Sequence, residues 1–376
     1  MNTFLSPAQQ AAKEQFEAYV REHLPAKLAA LEKRSSGAPL KELLHELGQS
    51  GYLGLHVPKE YGGQGQSFLH VVMLVEALAT ALPALGLVVA EHNAVIETIM
   101  RFGSAKQRSL YIPLLARGDS IATTSLSEDE AGSDFEAITT KLADNSITGS
   151  KAWVANADIA NLSLTSAKDA AGKLRLLLVD LSTESSTCSV GERQELLGMQ
   201  AVSINNVEFK SHKLGQDACL EPDSDRAREQ ILHAQDVGKT LIAAAALGSV
   251  EAALNLSVEH ANQREQFGQK IGQFQGIQWK IADMSTHSAA SRMLVYRAAW
   301  DLDEEPESLH KDAAMCKSFA TRVAQQHTAE AIQILGARGL LADSPAQRFY
   351  RDAKVMEICE GTNEMQKIII GEELGV

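Results

Sequence analysis

Apolar residues recur at steps of three or four over the first third of the chain, which predicts amphipathic helices. The predicted helices cover residues 7–24, 40–51, 68–80 and 90–102, and Gly51 and Gly103 stand where helix ends are expected. Residues 58–65 have the composition of a loop. No βαβ pattern surrounds its glycines, so they favour a tight turn over a phosphate-binding loop.

The pattern changes at about residue 121. From there to about residue 209, short runs rich in β-branched and aromatic residues predict strands, and Asp144-Asn145 is a turn signal. Residues 162–168 and 173–181 predict a hairpin whose turn spans residues 169–172. The middle of the chain is therefore expected to be a small β domain.

After about residue 231 the helical pattern returns in longer segments. Apolar positions at 247, 250, 254 and 258, at 274, 277, 281 and 284, and at 315, 319 and 323 predict helices that pack on one another. The acidic run at 301–306 predicts a loop between two of them. We predict a mainly α protein with a central β domain, an α+β arrangement. The expected units are helical (1–120), β (121–228) and helical again (229–376).

Composition narrows the class of protein. The 376 residues carry a net charge of −13, and the 35 basic residues form no dense stripe, which argues against nucleic acid as a partner. The longest apolar run, residues 241–247, is too short to cross a bilayer. The four cysteines are scattered without C-x-x-C spacing, so neither a disulfide framework nor a metal site is expected. The first 24 residues resemble neither a signal nor a transit peptide, and we expect a cytoplasmic protein.

Near the end of the chain stands a candidate catalytic carboxylate, Glu360. Its neighbours Met356, Ile358 and Cys359 are apolar, and apolar surroundings raise a carboxyl pKa towards the range of an effective base. Gly361 lets a ligand approach the backbone. A surface glutamate ahead of the last helix, with Gly361 and Thr362 as turn and cap, is the alternative that this segment alone leaves open.

Four stretches of the chain resemble the acyl-CoA dehydrogenase family in their order and separation. They are SLSEDEAGSD at 125–134 with its preceding residues 106–114, GSKAWVAN at 149–156, REQFG at 264–268 with residues 274–284, and QILG at 333–336 followed by RDAK at 351–354 and EGT at 360–362. The resemblance covers essentially the whole chain. It implies an N-terminal helical domain, a β-barrel-like middle domain and a C-terminal four-helix bundle. It also implies FAD, bound without a glycine-rich dinucleotide fingerprint.

The resemblance implies cofactor contacts at three places. Around the flavin ring and pyrophosphate they are Leu126, Ser127, Gly132, Ser133, Trp153, Val154 and Ala155. Contacts to the FAD of a neighbouring subunit are Arg264, Phe267 and Gln275. Contacts to adenosine and diphosphate are Gln333, Leu335, Gly336, Thr362 and Glu364. A shared cofactor implies a homodimer or homotetramer.

The implied reaction is the α,β-dehydrogenation of an acyl-CoA thioester, a step of lipid metabolism. Glu360 removes the α-proton while a hydride leaves the β-carbon for FAD, and an electron-transfer flavoprotein then accepts the electrons. The implied substrate contacts are Ser133, Asp236, Lys239, Glu360 and Gly361.

Several positions depart from the family pattern. Ala155 stands where many members have Thr or Ser, Asp129 replaces a proline and Lys239 an arginine. Gly238 occupies a place where some relatives carry their base. The connector 212–228 lacks the family's Gly-x-Gly run. These departures leave two alternatives open: an acyl-carrier-protein-linked dehydrogenase or oxidase of the same fold, and a non-catalytic subunit that pairs with an active homologue.

Overall fold

The computed structural model describes residues 5–33, 37–182, 186–222, 225–304 and 307–376. Six helices come first in these ranges: α1 (Pro7–His23), α2 (Leu28–Lys33), α3 (Ala38–Gln49), α4 (Phe68–Ala81), α5 (Pro83–Phe102) and α6 (Ala105–Ala116). The four helices predicted in this region are present. Residues 58–65 form the expected turn, in which Gly62 has a φ of +85°.

Two N-terminal helices differ from the prediction for local reasons. Helix α5 begins seven residues earlier than predicted, because Pro83 suits the first helical turn and residues 84–90 are apolar all round, which hides the helical period. Helix α6 was not predicted from periodicity. A capping box starts it, in which the Ser104 hydroxyl accepts from the Gln107 N–H and the Gln107 side chain accepts from the Ser104 N–H.

The middle of the chain forms one curled sheet of seven strands: β1 (Ala122–Ser125), β2 (Lys141–Ala143), β3 (Ser146–Ala155), β4 (Leu162–Lys168), β5 (Leu174–Asp180), β6 (Cys188–Val190) and β7 (Ile204–Lys213). The order is β1-β4-β2-β3-β7-β6, with β5 paired to β4. The antiparallel β4–β5 pair confirms the predicted hairpin. Asp144 and Asn145 both have positive φ in the turn between β2 and β3, as their sequence indicates.

The C-terminal region is helical. It contains α7 (Ala227–Gln263), the two-residue strands β8 (Glu265–Gln266) and β9 (Gln269–Lys270), α8 (Gln275–Glu304), α9 (Leu309–Leu335), α10 (Pro345–Met356) and α11 (Asn363–Glu373). Helix α7 packs against α4, α5, α8 and α9, which explains why its residues 236–250 are buried on every side. By length and composition α7 could cross a membrane, but 67% of its apolar window is buried inside the protein, as expected for a core helix.

The acidic run at 301–306 was wrongly predicted as a loop. Helix α8 continues to Glu304, and Asp301 is fully buried; residues 305–306 lie outside the described ranges. The Asp303 carboxylate accepts the backbone N–H of Phe68 at 2.8 Å and so caps the first turn of α4. The acidic run therefore links α8 to α4, two helices that are distant in sequence. The order of helices, sheet and helices confirms the predicted fold class.

Candidate active site

Glu360 lies in the turn between α10 and α11. Both Glu360 (φ +53°) and Gly361 (φ +80°) have left-handed backbone conformations, which is uncommon for a glutamate. Its carboxyl rests on Gly238 of α7, since a Cβ at position 238 would stand 2.5 Å from Glu360 Oε2. Only glycine leaves room there for the carboxylate. The alternative of a surface glutamate does not hold, although Thr362 does cap α11.

A second carboxylate, Glu91 of α5, meets Glu360. The two side chains are hydrogen-bonded to each other. Glu91 also accepts from the Thr124 hydroxyl at 2.6 Å and from the Thr124 N–H at 3.3 Å. Because Thr124 belongs to β1, this contact joins the N-terminal helices, the sheet and the C-terminal helices at one point. Glu360 lies at that junction.

The surroundings of Glu360 favour its protonated form. Burial raises the pKa of Glu360 well above its ordinary range, and the neighbouring Glu91 carboxyl raises it further. The positive charges of Lys239 and Lys317 act in the opposite direction. Burial also raises the pKa of Glu91, while the Thr124 bonds favour its ionised form. Two carboxyls in contact raise the proton affinity of the pair, an arrangement typical of acid–base sites.

Lys239 lies one helical position after Gly238 and is 2% exposed. Its Nζ donates to Asp236 Oδ1 at 2.8 Å, and Nδ1 of His310 on α9 lies 2.9 Å from the same carboxylate. Although burial opposes it, Lys239 and His310 lower the pKa of Asp236. The predicted substrate contacts Asp236 and Lys239 are thus an ion pair beneath the Glu360 carboxyl.

The loop after β1 brings the first group of predicted cofactor residues to the same junction. The Ala152 N–H donates to the Ser127 carbonyl at 3.0 Å, and the Thr123 hydroxyl donates to the Ala155 carbonyl at 2.6 Å. These bonds hold the end of β3 against β1 and the segment that follows it. Gly132 and Ser133 lie further along this loop and are exposed.

Trp153 and Val154 face opposite ways on β3. Trp153 has a φ of +61° and is 59% exposed, so it presents a flat indole to solvent. Val154 is buried and packs in the core of the sheet with Ile147 and Phe209. Only the backbone of Val154 is therefore open to a ligand on the indole side.

A buried ion pair anchors the loop that carries Leu126 and Ser127. Lys151 donates to Glu128 at 3.0 Å and to the Ser166 hydroxyl at 3.0 Å, and that hydroxyl donates to the Leu126 carbonyl. Glu128 also accepts from the Thr139 N–H at 2.7 Å. Asp129, next to it, is exposed.

The structure places the second group of predicted cofactor residues elsewhere. Arg264, Phe267 and Gln275 are exposed near the far end of α7. That end lies about 36 Å from Lys239 at a helical rise of about 1.5 Å per residue. Gln333, Leu335 and Gly336 end α9 at the same end of the bundle, where Leu335 packs beside Ile277 and Ile281. Within one chain this group does not meet Glu360. Thr362 and Glu364 stay with the first group, because they open α11 directly after Glu360.

The chemistry of both groups fits a dinucleotide cofactor. The first offers an exposed indole beside a loop with polar backbone and hydroxyl groups, which suits a planar ring. The second offers two exposed arginines, Arg264 and Arg338. Burial lowers the pKa of His260 and the charges of Arg338 and Arg264 lower it further, so both arginines lie close to the His260 imidazole. Guanidinium groups suit the recognition of diphosphate.

Sequence reasoning missed two residues of this site, Glu91 and Lys317. Each is a charged residue that follows a short apolar run inside a helix: residues 87–90 (LVVA) precede Glu91, and residues 313–316 (AAMC) precede Lys317. A charge at a core-facing helical position is costly unless it is paired. A charged residue in an apolar helical run was therefore the sequence signal that could have identified both residues.

The comparisons with known proteins agree with this geometry. Models of the N-terminal, middle and C-terminal domains of acyl-CoA dehydrogenase match residues 6–119, 123–212 and 228–375. An acyl-CoA dehydrogenase of Bacillus subtilis (strain 168) is 35% identical over 340 residues, or 89% of each chain. The mitochondrial short-chain specific acyl-CoA dehydrogenase of Mus musculus is 32% identical over 339 residues, or 88% of this chain and 81% of the mouse protein. The structure of butyryl-CoA dehydrogenase from Megasphaera elsdenii matches with a TM-score of 0.92 and 27% identity over 100% of both chains.

The members of the matched family are FAD-dependent oxidoreductases that act on CH–CH donors. Three kinds of observation indicate the same family: the three domain models in sequence order, the relatives of similar length, and the carboxylate at the junction of the three regions. This chain belongs to the acyl-CoA dehydrogenase family.

Proposed function

We propose that this protein catalyses the α,β-dehydrogenation of an acyl-CoA thioester with Glu360 as the base that removes the α-proton. The observation that carries the proposal is the contact of the Glu360 carboxyl with Glu91 above Gly238, at the point where all three regions of the chain meet. The raised pKa of Glu360 matches a base that takes a weakly acidic carbon-bound proton near neutral pH.

Charge that develops on the thioester oxygen needs a donor close to the base. No group among the described residues accepts a hydrogen bond from the backbone N–H of Glu360. We assign to it the hydrogen bond that stabilises the thioester oxygen. Gly361 beside it has no Cβ that would crowd the approaching acyl group.

FAD, when bound, would supply the acceptor for the hydride that leaves the β-carbon. Trp153, Val154, Ala155, Leu126 and Ser127 would hold its ring, and Gly132 and Ser133 its pyrophosphate side, where Ser133 would also contact the thioester tail. At Ala155 only the backbone can bond to the ring, because the side chain has no hydroxyl. Thr362 and Glu364 would bind further along the cofactor.

The second group, formed by Arg264, Phe267, Gln275, Gln333, Leu335 and Gly336, would then serve the cofactor of another subunit. Its separation from Glu360 by about two thirds of the length of α7 supports a homodimer at least, and the family resemblance supports a homotetramer. Phe267 is 95% exposed and Trp279 65% exposed, and such large apolar side chains are enriched at protein interfaces. Two further expectations from the resemblance are electron transfer to an electron-transfer flavoprotein and a cytoplasmic role in lipid metabolism.

The test is anaerobic flavin reduction by acyl-CoA thioesters of short, medium and branched chain length. Glu360→Gln should bind FAD normally but slow flavin reduction by roughly 100- to 10,000-fold, the usual contribution of a general base. Glu372→Gln is the matched control, because Glu372 is exposed near the end of α11. Reduction of Glu360→Gln at the wild-type rate would refute the assigned base.

The same assay separates the alternatives. Reduction only by carrier-bound acyl groups would indicate the acyl-carrier-linked enzyme, and rapid hydrogen peroxide formation in air would indicate an oxidase. A protein that purifies without flavin when expressed alone, but with flavin when a homologue is co-expressed, would be a non-catalytic subunit. The contact between Glu360 and Glu91 argues for a working base in this chain.

A further inference from the structure

The turn that carries Glu360 lies outside regular secondary structure and has a strained backbone. Residues 357–362 belong to neither α10 nor α11, and two consecutive residues in this turn, Glu360 and Gly361, are left-handed. A non-glycine residue persists in that conformation only when its surroundings enforce it. The part of the chain that enforces it here is the neighbouring helix α9.

Lys317 of α9 supplies three hydrogen bonds to this turn. Its side chain is fully buried. Its Nζ donates to the Glu357 carbonyl at 2.9 Å, to the Gly361 carbonyl at 2.7 Å and to Asn363 Oδ1 at 3.0 Å. An ammonium group has three donors, so this set uses all of them. The acceptors lie on both sides of Glu360 in the chain.

Other bonds join the same three acceptors. The Asn363 N–H donates to the Glu357 carbonyl at 3.1 Å, and the Thr321 hydroxyl of α9 donates to Asn363 Oδ1 at 3.1 Å. The Gln366 amide donates to the Gly361 carbonyl at 2.9 Å. Lys317 is therefore at the centre of a buried network that closes the turn from Glu357 to Asn363.

The charges around Lys317 indicate that its side chain is a cation close to the Glu360 carboxyl. Burial lowers the pKa of Lys317 to about 8, while the nearby Cys359, Glu360 and Glu357 raise it and Lys239 of α7 lowers it. Lys317 is thus mainly an ammonium at neutral pH. Its acceptors are uncharged oxygens, so its charge remains available to act on Glu360.

We propose that Lys317 is a positioning residue for the reaction: by bonding to Glu357, Gly361 and Asn363 it holds the turn that aims the Glu360 carboxyl. The proposal rests on the function assigned to Glu360. Lys317 acts through the backbone of the turn and does not contact the acyl group. A lysine that only filled the core would stabilise the fold without setting the rate of proton abstraction.

The test is Lys317→Met, which keeps the length of the side chain but removes its donors. In the FAD-loaded enzyme, the limiting rate of anaerobic flavin reduction should fall roughly 10- to 100-fold, because a misplacement of about 1 Å costs that much. FAD content and the acyl-CoA dissociation constant should stay near wild type. Hydrogen exchange of the peptide that covers residues 357–363 should become faster, which is a readout independent of activity. Lys367→Met, an exposed lysine on α11, is the control.

A wild-type limiting rate or unchanged exchange in Lys317→Met would overturn the proposal. If that variant does not fold, Asn363→Ala decides instead, because it removes one acceptor and should show several-fold losses of the same kind; wild-type behaviour there would equally overturn it. Failure of the proposed function looks different. The wild-type protein itself would then leave its flavin oxidised with every thioester, and the role of Lys317 towards a base would fall with it.

Discussion

Gly238→Ala tests directly whether the Glu360 carboxyl works where the structure places it. The added Cβ would stand 2.5 Å from Glu360 Oε2 and 2.7 Å from its Cδ, whereas ordinary contacts begin at 3.4 Å. The carboxyl must therefore move by about 0.9 Å. A displacement of that size at a reacting group costs on the order of 100-fold in rate. We expect the limiting rate of flavin reduction to fall by that factor.

The stability of Gly238→Ala should not fall with its activity. The atoms that clash with the new Cβ are the far end of a flexible side chain, which can rotate away. Alanine in the interior of a helix is also about 0.5–1 kcal/mol more favourable than glycine. The thermal midpoint should therefore be unchanged or raised while activity is lost.

The assay pairs anaerobic single-turnover flavin reduction with a thermal melt. Gly215→Ala is the matched control, since a Cβ there meets nothing within 4 Å and Gly215 lies outside the site. A folded Gly238→Ala enzyme that reduces its flavin at the wild-type rate would show that the working carboxyl does not rest on Gly238. The placement of the base would then be wrong.

Two further predictions use the same assays. Gly248→Ala on the same helix should lose roughly 1–3 kcal/mol of stability, as other overpacked sites do. The reason is that its Cβ would stand 2.3 Å from the Glu76 carbonyl oxygen. A thermal melt equal to that of wild type would contradict the α4–α7 packing. Glu91→Gln should shift the acid limb of the rate–pH profile to lower pH. The Glu91 carboxyl raises the pKa of Glu360, and a neutral amide removes that negative neighbour, so Glu360 becomes ionised and active at lower pH. An unmoved or raised limb, with Glu372→Gln as the reference, would show that the two carboxyls do not interact in the working enzyme.

The reasoning from sequence explained the raised pKa of Glu360 partly for the wrong reason. It attributed the raised pKa of Glu360 to apolar neighbours in the chain, yet Ile358 is 56% exposed. The burial comes from α5, α7 and α9, which close over the carboxyl from distant parts of the sequence. Glu360 was proposed as the base because the family motif contains it.

The amino-acid sequence by itself determined the order of helices, strands and helices, the β4–β5 hairpin and the family. These depend on signals carried by neighbouring residues: a period of three to four for helices, β-branched runs for strands, and motif residues a few positions apart. It missed the true end of α8, where an acidic run suggested a loop, and the start of α5, where burial on all sides hides the period.

Only the tertiary structure decided which side chains act together. Glu91 and Lys317 each lie far from Glu360 in sequence, and no periodic pattern relates their positions. Their contacts arise because α5 and α9 pack around α7, so that charged residues on each helix must find partners across the junction. Local patterns fix which face of a helix is buried. Which buried charge meets which is fixed by packing over the whole chain.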